Sequence, residues 1–167
     1  MAKKRRPRKQ KRIRVSSAKR QPLGPASEQG SRYSIEEVFS CMREAISKAG
    51  KVRRATSLRF QTKDGESWRL SLRMRTFLQH GTQCRYCKLQ GAYFQAERFS
   101  IQETCMHLNL YAIDDEGDEV LMTHDHVMPK ASGGRNCLDN TDTVCFVCNM
   151  FKKDMVPSFK IVKNEDS

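Results

Sequence analysis

Two Cys-x-x-Cys pairs, Cys84/Cys87 and Cys145/Cys148, stand 57 residues apart in a chain of 167. Tetrahedral zinc accepts four thiolates, and a Cys-x-x-Cys turn places two of them on one tight knuckle. The pairs therefore predict a single shared zinc site that pins the long segment between them. A staple of this kind suits the composition: 38% of residues are hydrophobic and 30% charged, so the core is small. His107 or Cys105 could replace one ligand, while Cys41 and Cys137 have no partner at ligand spacing and read as free thiols. Seven cysteines without a secretory apolar segment argue for a reducing compartment, where such pairs hold metal more often than disulfides. No apolar run approaches the roughly 20 residues needed to cross a bilayer, so no membrane partner is expected.

The net charge of +12 is concentrated at one end. Residues 1–20 hold 11 Lys and Arg, no acidic residue precedes Glu28, and the rest of the chain carries 20 basic against 19 acidic side chains. So dense a charge block, interrupted by Pro7, Pro22, Gly24 and Pro25, cannot offset its ordering entropy and is expected to be disordered alone. Its natural partner is a polyphosphate backbone, met by Lys3, Lys4, Arg5, Arg6, Arg8, Lys9, Lys11, Arg12 and Arg14. The run Lys3 to Lys9 would equally serve as a nuclear localisation signal. Three parts are expected: a basic tail over 1–32, a helix and hairpin over 33–80, and a zinc-knuckled domain over 81–167.

Ser34 followed by Glu37 is a capping box, and Ile35, Val38, Phe39, Met42, Ala45, Ile46 and Ala49 form one helical stripe stopped by Gly50. Residues 56–74 predict a hairpin turning at Lys63-Asp64-Gly65, with Trp68, Leu70, Leu72 and Met74 on its second arm; the same residues from Leu72 onward would also suit a short helix ending near Gly81. His107 to Ile113 and Glu119 to His124 read as strands joined by the acidic turn Asp114 to Asp118. A helix is expected to start near Cys148 and to carry Asn149, Lys152 and Lys153, the two lysines facing nucleic acid.

Within this frame lie Asp125-His126-Val127-Met128-Pro129, Ser132-Gly133-Gly134, Asn140, and Cys145-x-x-Cys148-Asn149 followed by Lys152. Over about residues 84–153 the sequence resembles the HNH endonuclease family. The resemblance implies an α+β, ββα-metal (His-Me finger) core in which two strands, a long loop and a helix surround one divalent cation. It implies His126 as general base, Asn140 as the residue positioning it by bonding loop backbone or ring, and Asp125 with Asn149 as ligands of the catalytic metal. The third family position here is Asn149 in place of His. A carboxylate paired with an amide oxygen favours Mg²⁺ or Mn²⁺ over a second zinc.

Phosphodiester hydrolysis needs an activated water, charge neutralisation and help for the departing oxygen, which one imidazole and one metal can supply. The expected activity is therefore metal-dependent hydrolysis of DNA, as a nick or a double-strand cut, with RNA as an alternative substrate. The other class of reading is a zinc-stabilised nucleic-acid-binding or architectural protein with an idle site. Small HNH proteins with basic extensions resemble phage-encoded or homing endonucleases, which implies the cytoplasm, of the host if phage-encoded, or the nucleus in a eukaryote. Monomer and dimer are both compatible with one active site per chain. His124, one residue before Asp125 on a strand, is expected to face away from that ligand.

Overall fold

The computed structural model describes residues 28–50, 58–100 and 102–155, the last three by backbone alone. The basic residues from Lys3 to Arg14 and the side chain of Lys153 lie outside the described residues. The fold is α+β. A five-stranded antiparallel sheet has the order β1-β4-β5-β6-β7, and a separate two-stranded hairpin is formed by β2 and β3.

Strand β1 (Glu28–Ser34) runs directly into helix α1 (Ile35–Ala49). Residues 28–32, counted above with the basic tail, thus belong to the sheet, where Arg32 pairs with Gln95 of β4 (Gly91–Arg98). Ser34 ends the strand because its Oγ accepts the amide of Glu37 and so starts the helix. Of the apolar stripe, Val38, Phe39 and Met42 are buried, whereas Ile46 is 40% exposed. Strands β2 (Arg59–Gln61) and β3 (Ser67–Arg69) form the expected hairpin, but its second arm stops at Arg69. Ser71 then caps helix α2 (Leu72–His80), its Oγ accepting from the Met74 amide, so Leu72 and Met74 are helical. The cap wins because Ser71 satisfies a helix-end amide that a strand would have to pair elsewhere.

Both helices lie on one face of the sheet. Phe94 of β4 stands 6.1 Å from the ring of Phe39 and 6.3 Å from that of Phe77, joining α1 and α2 through one side chain. Ala96, Leu108, Leu110, Val120 and Met122 continue this core, which draws on residues from both sides of position 80. Each fully buried residue such as Phe77 or Met42 contributes roughly 1.5–3 kcal/mol.

The opposite face of β4 and β5 (His107–Ile113) is buried but polar. Glu97, 2% exposed, accepts from Asn109 Nδ2 at 2.7 Å and from the Tyr111 hydroxyl at 2.6 Å, while Gln95 donates to the carbonyl of Gly30. Burial and the bond to Glu97 push the Tyr111 phenol above its ordinary range, so it stays a donor. The carboxylate is tolerated because its lone pairs are met. Strands β6 (Glu119–His126) and β7 (Thr141–Cys145) carry the sheet to its far edge, and helix α3 (Phe146–Met155) follows β7 without a linker. It begins two residues before Cys148, where the sequence reading had placed its start.

Candidate active site

The four thiols predicted to share a metal are brought together. The Sγ atoms of Cys84, Cys87, Cys145 and Cys148 all lie within 4.8 Å of one another, with Cys87 and Cys145 at 3.7 Å. Cys84 and Cys87 sit on a turn closed by the Lys88 amide on Cys84 O, with Lys88 itself at φ +64. Cys145 ends β7 and Cys148 falls in the first turn of α3, where its amide donates to Cys145 Sγ. The Arg85 amide on Thr143 O ties the two knuckles together. Four thiols this close cannot all ionise without strong mutual repulsion: bonds from Cys145 hold the Cys87 thiol below its ordinary value, and bonds to Cys148 and Cys84 push Cys145 up. A dication that ionises all four resolves that conflict, so the donor set is compatible with zinc. Cys105 and His107 lie outside this cluster.

The second knuckle lies at the β7–α3 junction of a strand–loop–strand–helix unit. β6 and β7 pair antiparallel from Met122↔Cys145 to His126↔Thr141, and residues 127–140 form the loop between them. Alternation along β6 puts Thr123 and Asp125 on the face covered by α3 and His124 and His126 on the other. Two bonds join helix to strand on the first face. Asn149 Nδ2 donates to Thr123 Oγ1 at 3.1 Å, and one helical turn later the Lys152 ammonium donates to Asp125 Oδ2 at 2.5 Å. Thr123 is itself fixed by its bond to Val144 O. Asp125 and Asn149 therefore flank the same strip of β6, the amide nitrogen of Asn149 turned toward Thr123 and its oxygen away.

On the second face the rings of His124 and His126 have centroids 6.0 Å apart. Burial, then the nearby Arg73 charge, lowers the His124 pKa to about 4, so this imidazole is neutral at pH 7. His126 is positioned by the loop. Its Nε2 meets Asn136 Oδ1 at 2.9 Å, a partner that sequence reasoning missed. Asn140 does not touch the ring. Its Oδ1 accepts from the Met128 amide at 2.8 Å, and its Nδ2 donates to Met128 O at 3.1 Å and Arg135 O at 2.8 Å. With the Val127 amide on its backbone carbonyl, this one residue clamps both ends of the loop. Gly134 completes the clamp: a Cβ there would overlap the Met128 carbonyl, so only glycine lets the loop fold back this closely.

Residues 114–163 match the family model of the HNH endonucleases. That segment of the chain is similar to the HNH endonucleases. No curated protein and no solved structure matches the chain significantly. Within the HNH segment the ββα order is that of β6, β7 and α3, and it points to nuclease function and a nucleic-acid substrate.

The oxygen donors at the end of β6 already hold a positive charge: the Lys152 ammonium lies on Asp125 Oδ2 and on the His126 carbonyl, each at 2.5 Å. Lys152, expected from its charge to face nucleic acid, is 15% exposed and paired inward. The signal that could have found this pairing is spacing, since i and i+3 on a helix share a face with Asn149. The acidic turn also gathers carboxylates, from Asp114, Glu116 and Asp118, but Asp114 Oδ1 accepts the amides of Glu116 and Asp118 and so serves the turn. Among the described residues no helix is long and apolar enough to cross a membrane.

Proposed function

We propose that the chain is a metal-dependent endonuclease that hydrolyses DNA phosphodiester bonds, with His126 as general base. The observation that supports this reading is that Asp125 and His126 end β6 in succession, Asp125 on the face where Asn149 bonds Thr123 and His126 beside the loop that Asn140 holds. Asp125 and Asn149 would hold Mg²⁺ or Mn²⁺, which supplies charge neutralisation at the scissile phosphate and the leaving oxygen. His126 takes the proton of the attacking water, and the bond to Asn136 orients its ring. Asn140 is a positioning residue that acts through the loop backbone.

In this account zinc in the four-cysteine site is structural. It fixes the start of α3 relative to β7, and hence Asn149 relative to Asp125. The basic residues Lys3 to Arg14, with Lys153, would bind the phosphate backbone without sequence preference. A single site cuts one strand, so a monomer nicks and a double-strand cut requires two copies. Incubating supercoiled plasmid with the full chain and Mg²⁺ should convert it to open circles, and EDTA should abolish this. Intact supercoils under both Mg²⁺ and Mn²⁺ would favour a binding protein with an idle site.

A further inference from the structure

Lys152 occupies the carboxylate of Asp125, one of the two proposed metal ligands. Its ammonium donates to Asp125 Oδ2 and to the His126 carbonyl, one charged oxygen and one neutral, as a divalent ion would take them. Both partners are poorly exposed, at 15% and 19%, so water competes weakly and the contact is stronger than a surface ion pair. Asp142, the cross-strand neighbour of Asp125, is engaged by Arg85 at 2.7 Å and does not relieve Asp125 of its lysine. Lys152 sits on a helix fixed one turn earlier by Asn149 on Thr123, so its reach to Asp125 is preset.

We propose that Lys152 is a built-in competitor of the catalytic cation: its ammonium holds Asp125 until a divalent ion displaces it. This rests on the reading of Asp125 as a metal ligand. Two cations cannot share one carboxylate oxygen at contact distance without strong repulsion, so metal binding and the Lys152–Asp125 pair exclude each other. The protein free of substrate is then kept weakly loaded with metal.

The test is direct binding of Mn²⁺ to the zinc-loaded full chain, read from the free-ion electron paramagnetic resonance signal. Wild type, Lys152→Met, Lys152→Arg and Asp125→Asn are compared, with zinc content and melting curve checked for each. Lys152→Met should bind Mn²⁺ at least about 5-fold more tightly than wild type, within the usual range of coupling between two ligands. Lys152→Arg, which keeps the charge, should stay near wild type, and Asp125→Asn should lose the site. If Lys152→Met loses zinc, Lys152→Gln is read in its place. Equal Mn²⁺ affinity in wild type and the neutral variants, with loss in Asp125→Asn, overturns the competition while leaving the metal site intact. Unchanged binding in Asp125→Asn instead overturns the ligand reading itself.

Discussion

Asn140→Ala isolates the loop clamp from the chemistry. The change deletes three side-chain hydrogen bonds, to the Met128 amide, Met128 O and Arg135 O, while leaving the Val127 amide on the residue 140 carbonyl. Bonds of this type contribute about 0.5–1.5 kcal/mol each, and exposure places these at the lower end, so the loop loses about 2 kcal/mol of local stability. That corresponds to an opening equilibrium about 30-fold more favourable. Hydrogen exchange resolved by residue should therefore speed up about 30-fold at the Met128 amide, which loses its acceptor, with little change at Leu110 or Met122 in the core strands. Nicking should fall roughly 10- to 100-fold, because the loop that orients His126 through Asn136 loosens and small displacements are costly to catalysis. Zinc content should be unchanged. Unaltered exchange at Met128, or full nicking by a variant whose exchange has accelerated, would refute the assignment of Asn140 as the residue that positions the base.

Other outcomes are expected. Cys145→Ser removes one of four ligands from a site whose binding energy is folding energy, so it should lower the melting temperature sharply and release about one zinc per chain, measured by a chromophoric chelator; an unchanged melting curve would contradict a structural metal. His124 is neutral when folded, with a pKa near 4 against about 6.5 unfolded, so the unfolded chain binds the extra proton between those values. Stability should fall as pH drops from about 6.5 toward 4 and His124→Gln should remove that part of the slope, read from urea midpoints across pH. Deleting residues 1–20 should weaken DNA binding for all sequences alike and flatten its salt dependence by about 0.9 unit per lost phosphate contact; an unaltered slope would favour the targeting-signal reading.

What was legible in the sequence was whatever announces itself locally. Ser34 and the stripe through Met42 specify α1 within one segment, and the thiol spacing specifies the cluster because zinc geometry leaves few alternatives. Strands β1 and β4 were not legible, for different reasons. β1 is a polar edge strand with Tyr33 as its one buried residue, so its place depends on backbone pairing with β4 and not on any pattern of its own. β4 carries Gln95 and Glu97 inward on its second face, and these read as surface residues until Gly30, Asn109 and Tyr111 are seen to satisfy them. Within the site, Asp125, His126 and Asn149 carried the family resemblance, whereas Asn136 and Thr123 are ordinary polar residues whose contacts exist only in three dimensions. Lys152 was assigned by its charge alone, and its inward turn follows from the register of α3 on β6.

The central claim is that one imidazole and one cation perform the cleavage, and a metal titration of nicking in His126→Ala and Asp125→Ala tests it most directly. The account predicts that His126→Ala loses about 10²–10⁴-fold in rate at every Mg²⁺ or Mn²⁺ concentration, since no metal replaces a missing proton acceptor. Asp125→Ala should recover part of its activity as metal is raised. Full activity in His126→Ala, or rescue of that variant by metal while Asp125→Ala stays inactive, would contradict it.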